Sequence, residues 1–129
     1  MKICLDTNAY AHFLAGSEAV RSLLENAEEI IVPAAVVAEA YSGFSNGSQC
    51  ARNVTVFESF LDRPLVRMQP ADKRIAIRWG LVRTALRRKG RPIPVNDIWI
   101  AATAFETGSV LLSYDHHFDA IEGLLRLAP

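Results

Sequence analysis

The heptapeptide CLDTNAY, residues 4–10, sets an aspartate directly behind a short apolar run. No basic residue stands within three positions of Asp6 on either side. A carboxylate so placed is expected to be half buried, and such a group needs a cation, a cluster of donors or a proton. With the two residues before it, the run reads KICLD, a short first strand with Asp6 at its carboxyl end.

The rest of the chain repeats this unit. Residues 9–26 read as one or two helices broken near Gly16, with Ser17 as N-cap and Glu18 in the first turn. IIVP (30–33) is a second strand stopped by Pro33, and AAVVAEAYSGF (34–44) is helical by length and alanine content, although Val36 and Val37 oppose it. Residues 49–61 form another helix, ended by Pro64, and LVRM (65–68) is a third strand. Over residues 71–89, Ile75, Trp79, Val82 and Leu86 recur at spacings of four, three and four, the apolar stripe of an amphipathic helix with Gly90 as its C-cap. NDIWIAATAFETG (96–108) is a helix apolar nearly all round and so is expected to be buried; Trp79 and Trp99 both read as core. SVLLSYD (109–115) and a weaker LLRLA (124–128) close the series as strands.

Strands alternate with helices, and the strands are short, apolar and without two-residue alternation. That pattern predicts an α/β fold, a parallel sheet covered on both faces, in a single domain over residues 1–129. Ligands of such sheets bind at the carboxyl ends of the strands. Asp6 and Asp115 both fall there.

Composition is that of a globular protein, 50% hydrophobic and 22% charged. No apolar run reaches the roughly 18–20 residues of a membrane span, and the start is too short in apolar residues for a signal peptide, so the expected compartment is the cytoplasm. Cys4 and Cys50 form no metal spacing and read as free thiols, Cys4 in the core. The 14 basic and 14 acidic residues cancel, but eight of the basic ones lie within residues 71–91 against Asp72 alone. Such polarity favours an anionic partner on one face.

Most acids have a cation or polar surroundings nearby. Four do not: Asp6; Glu39, in the middle of an apolar helix; Asp97, at the start of the buried helix; and Asp115, after the fourth strand. Singly, Asp6, Asp97 and Asp115 are explained by capping or hydrogen bonding. Glu39 has no capping role. If the four converge, their repulsion demands a divalent cation, and all-oxygen ligation selects Mg²⁺ or Mn²⁺. Carboxylates with Mg²⁺ are equipment for phosphodiester hydrolysis by metal-activated water. His12, His116 and His117 read as packed, exposed or loop residues, not catalytic ones.

Four blocks, LDTNAY, VAEAYSG, PVNDIWIAATAFETG and LLSYDHHFDAIEGL, stand in an order that resembles the PIN-domain ribonucleases, specifically VapC-like toxins of toxin–antitoxin pairs. The likeness implies a PIN-like three-layer fold and a magnesium-dependent endoribonuclease. It implies metal-binding and catalytic roles for Asp6, Glu39, Asp97 and Asp115, with Thr7, Asn8 and Ser113 as hydrogen-bonding support. Ser113 stands where the family more often has threonine. The implied partners are RNA, a small cognate antitoxin and a second copy of the chain. An antitoxin arginine would suit the acid cluster, with Tyr41 and Phe44 lining an apolar groove beside it. Arg83, Arg87 and Arg88 are candidates for RNA contact, since four acids repel RNA. Two other readings are a haloacid-dehalogenase-like phosphatase, which needs a second aspartate where this chain has Asn8, and a non-catalytic PIN binding module.

Overall fold

The computed structural model describes residues 1–129. Five strands form one sheet: β1 (Lys2–Leu5), β2 (Glu29–Pro33), β3 (Val66–Gln69), β4 (Val110–Leu112) and β5 (Arg126–Leu127), in the order β3-β2-β1-β4-β5. Every neighbouring pair is parallel. Six helices connect and cover it: α1 (Thr7–Leu14), α2 (Glu18–Glu25), α3 (Ala34–Ser45), α4 (Cys50–Leu61), α5 (Lys73–Lys89) and α6 (Val95–Thr107). The predicted parallel α/β architecture is therefore the observed one.

Its cause is visible in β1. Ile3, Cys4 and Leu5 are each fully buried, so successive side chains on opposite faces both meet helices and no polar alternation is possible. Burial also pushes the Cys4 thiol far up, which leaves it an inert core group; no disulfide forms with Cys50.

Element ends follow local chemistry. Gly16, at φ +89°, breaks α1 from α2, and Ser17 then accepts a bond from the Val20 N–H at 3.3 Å. Gly90, at φ +67°, closes α5 in the left-handed conformation that glycine adopts without strain.

The differences from the sequence reading lie mostly at the strand ends. β3 runs over Val66–Gln69, one residue later than LVRM; Leu65 still accepts the Ile30 N–H at 2.7 Å, while the Val66 N–H turns back to the Arg63 carbonyl. β4 keeps only three residues of SVLLSYD. Ser109 is drawn into the end of α6 by its N–H bond to the Ala104 carbonyl, and the chain leaves the sheet after the Ser113 N–H bonds the Leu127 carbonyl at 3.0 Å. A 3-10 turn over His116–Ala120 follows, which no periodicity announced. Trp79 and Trp99 are half buried, Trp79 packed against the core and the two rings 5.6 Å apart between α5 and α6. No helix is long and apolar enough to cross a membrane.

Phe57 anchors the packing of α1, α3 and α4. It is fully buried, with the rings of Tyr10, Phe44 and Tyr41 at 5.0, 5.7 and 6.0 Å. Helices α1 and α3 carry residues that flank Asp6 and Glu39, so this cluster sets their spacing. Phe57→Ala is expected to destabilise the fold by about 3–5 kcal/mol, read from urea unfolding, while Phe57→Leu loses clearly less.

Candidate active site

The chain passes from β1 to α1 with no loop. The Asp6 N–H still pairs with the Leu112 carbonyl of the sheet at 3.2 Å, and the Asp6 carbonyl already accepts the first helical bond, from Tyr10 N–H at 3.1 Å. Asp6 is thus the N-cap of α1, held at the carboxyl end of β1. The strand order reverses direction between β1 and β4, and ligands of open α/β sheets bind in the crevice at such a point.

At that crevice Asp6 meets Ser113, the first residue beyond β4. The Ser113 hydroxyl donates to Asp6 Oδ2 at 2.6 Å, and the Thr7 N–H donates to Oδ1 at 2.8 Å. The same hydroxyl accepts the Asp115 N–H at 3.0 Å. One fully buried Oγ therefore positions two of the four acids. Asp115 in turn caps the 3-10 turn, its Oδ1 accepting the His117 N–H at 2.8 Å.

Glu39 reaches the crevice from the middle of α3, where the Thr7 hydroxyl donates to its Oε1 at 3.2 Å. Asp97 comes from the first turn of α6. Glu39, Asp97 and Asp115 line one open cleft of about 430 Å³. The structure thus brings together all four acids singled out in the sequence, with Thr7 and Ser113 bonded to them. Asn8 is exposed, and its side chain takes no part in these hydrogen bonds.

His117, read in the sequence as a loop residue, belongs to the cluster instead. Its Nδ1 lies 3.0 Å from Asp97 Oδ2 and 3.2 Å from Asp115 Oδ1. Its spacing two residues after Asp115 was the available signal, but only the 3-10 turn aims the ring back at Asp97. His12 stacks on Tyr114 at 4.2 Å, and His116 pairs with Asp119, so neither joins the acids. Arg126 braces this loop from β5, bonding Asp119 and the Ser113 carbonyl. Tyr41 and Phe44, expected to line an apolar groove, pack on Phe57; a cleft beside Glu39 is lined by Ser42, Gly43, Asn46 and Asn96.

No Lys or Arg forms an ion pair with any of the four acids. Burial holds the Asp6 carboxyl above its ordinary range, against its hydrogen bonds from Ser113 and Thr7 and with help from the Asp115 charge. Burial likewise raises Glu39, reinforced by Asp6 and Asp97, and raises Asp97, reinforced by Asp6 and Asp115. One oxygen or nitrogen from each of Asp97, Asp115 and His117 lies within 4.8 Å of the others. Convergent carboxylates short of positive charge fit a divalent cation with oxygen ligands, so the donor set can hold a metal.

Residues 3–124 match the PIN domain family. The chain is 33% identical over 116 residues to the ribonuclease VapC2 of Haemophilus influenzae, covering 88% of this chain and 86% of that one. Among solved structures, a DNA-bound VapBC from Salmonella typhimurium superposes with a TM-score of 0.87 at 26% identity, over 98% of this chain and 97% of its counterpart. A member of the VapBC family of toxin–antitoxin systems, VapBC-5 from Mycobacterium tuberculosis, does so at 0.75 and 25% identity, over 98% of each chain. The fold and the rim of acids define a PIN-domain protein, and the chain belongs to that family, within its branch of VapC ribonucleases.

The raised carboxyls fix a sign for the pH dependence. Asp6, Glu39 and Asp97 hold protons in the folded state that they lose near pH 4 when unfolded. Their contribution to stability is full below about pH 4 and falls as pH rises through the raised values. Without metal, Asp6→Asn is therefore expected to melt above the wild type, by a margin that widens from about pH 4 to pH 7. Thermal melts in chelator across this range check it; a margin that narrows toward neutral pH contradicts it.

Proposed function

We propose that residues 1–129 act as one Mg²⁺-dependent endoribonuclease, with Mn²⁺ an alternative ion, and that the protein is the cytoplasmic toxin of a toxin–antitoxin pair. The observation that carries the chemistry is the convergence at one crevice of Asp6, Glu39, Asp97 and Asp115 with no lysine or arginine to balance them. The family relationship supports the substrate, RNA.

In this reading the four acids hold the cation, with His117 beside Asp97 and Asp115 as a further donor. When bound, Mg²⁺ supplies Lewis acidity toward a phosphoryl oxygen and an acidified water. The protein's share is orientation. Ser113 fixes Asp6 and the backbone of Asp115, and Thr7 fixes Asp6 and Glu39. No covalent intermediate is needed. Ser113 Oγ is fully buried and already donates to Asp6, so it is no nucleophile. Attack through the RNA 2′-hydroxyl calls for an acid–base pair, and the cluster holds a single histidine whose Nδ1 is taken by carboxylates.

RNA contact is assigned to the basic stretch. Arg87 and Arg88 are exposed in the last turn of α5, whereas Arg83 lies over the Trp79 ring at 5.5 Å. Helix α5 also exposes Ile77 and Leu81, at 56% and 60%, an apolar strip that a homodimer would cover. The antitoxin partner is supported by the VapBC complexes among the structural relatives. A cluster of carboxylates is a ready receptor for an arginine side chain, which would compete with the metal.

Purified protein given total RNA and Mg²⁺ is expected to leave 5′-phosphate and 3′-hydroxyl ends, mapped by sequencing of the fragments. Asp97→Ala and Asp115→Ala should each lose activity by at least a hundredfold while remaining folded. Products ending in 2′,3′-cyclic phosphate would refute the mechanism. In cells, expression alone should arrest growth and Asp6→Ala should not. Co-expression with the product of the adjacent reading frame should restore growth and yield a complex. Harmless accumulation of wild-type protein on its own would remove the toxin role.

A further inference from the structure

Beside the acidic cleft lies a second, of about 320 Å³, and His117 lines both. The charge changes sign between them. The first is lined by Glu39, Asp97 and Asp115; the second has no carboxylate among its lining residues and is lined by Arg91, Pro92 and His116. Arg91 is the only lysine or arginine that lines either.

Four other basic residues of the same stretch are committed, and Lys73, Arg87 and Arg88 line neither cleft. Arg74 and Arg78 bind Glu106, Lys89 Nζ donates to the Ala120 carbonyl at 2.9 Å, and Arg83 lies over Trp79. Arg91 forms no ion pair. Its backbone is nevertheless fixed. Gly90 turns the chain off α5, and the Arg91 N–H donates back to the Leu86 carbonyl at 3.0 Å. Pro92 and Pro94 then stiffen the path into α6, whose first turn bears Asp97. A guanidinium on a stiff segment gives up less freedom when it binds an anion.

An RNA strand brings more than one phosphate to such a site. The acids and their cation can accommodate the scissile phosphate, but the next phosphate along the backbone meets net repulsion from the carboxylates unless a fixed cation stands beside them. We propose that the Arg91 cleft is the seat of the RNA backbone phosphate adjacent to the scissile one, with the Arg91 guanidinium as its principal ligand. This deepens the nuclease reading and rests on it.

The test uses a single-stranded oligoribonucleotide spanning a cleavage site mapped with the wild-type protein. It is made with natural linkages, and again with one neutral methylphosphonate either one linkage before or one after the cut. For the wild type, one of the two neutral linkages should raise KM about tenfold with kcat nearly unchanged. Arg91→Ala should raise KM about tenfold on the natural strand and be insensitive to that linkage. Its affinity should depend less steeply on salt, by about 0.7 in log–log slope. Arg91→Lys should recover part of the loss, and Arg52→Ala, which removes the same charge from α4, should leave KM near wild type. If the neutral linkage weakens Arg91→Ala as much as wild type, or if Arg91→Ala keeps the wild-type KM and slope, the subsite is wrong while the nuclease reading stands. A wild type that cuts no RNA at all removes both.

Discussion

The hydrogen bond from Ser113 Oγ to Asp6 Oδ2 joins two strand ends that lie 107 residues apart in sequence. It exists because β1 and β4 are parallel neighbours at the point where the sheet reverses its order. Asp6 leaves one strand one residue past Leu5, and Ser113 leaves the other one residue past Leu112, and Leu5 and Leu112 are partners in register. From this pair the remaining geometry follows. The Ser113 hydroxyl turns the Asp115 backbone, Asp115 caps the 3-10 turn, and that turn delivers His117 to Asp97.

The electrostatics run against the packing at this one place. Elsewhere several acids of the chain find arginine partners: Glu29 with Arg67, Glu106 with Arg74 and Arg78, Asp119 with Arg126. Arginines are therefore not scarce; none pairs with the four carboxylates at the crevice. Buried like charges that are hydrogen-bonded but not neutralised are poised for an external cation, and perturbed carboxyls of this kind mark functional sites. A cation bound there would supply the missing counter-charge together with its Lewis acidity.

Much of this was legible in the sequence because the signals are local. Asp6 is flagged by the apolar run before it, and Glu39 by a helix with no partner for it at three or four positions. The parallel sheet follows from strands such as Ile3–Leu5 that do not alternate. What escaped depends on long-range geometry. The sequence HHF says nothing of which histidine faces Asp97, since the choice is made by a 3-10 turn anchored on Asp115 and braced by Arg126 from β5. Tyr41 and Phe44 stand two and five residues from Glu39, about 200° and 140° round the helix, so they face Phe57 and not the acids; residue type suggests a groove there, and helical spacing opposes it. The tryptophans of α5 and α6 meet at the margin of the core, where each stays partly open, a degree of burial that an apolar stripe alone does not specify.

The central claim is that a divalent cation occupies the space between the four acids. Crystals grown without metal, soaked in Mn²⁺ and measured at a wavelength where manganese scatters anomalously, test it directly. The account predicts an anomalous peak within bonding distance of carboxylate oxygens of Asp6, Asp97 or Asp115, about 2.0–2.4 Å, that disappears in Asp6→Asn or in Asp97→Asn. An empty crevice in well-soaked crystals, or a peak held only by exposed acids elsewhere on the surface, would contradict it.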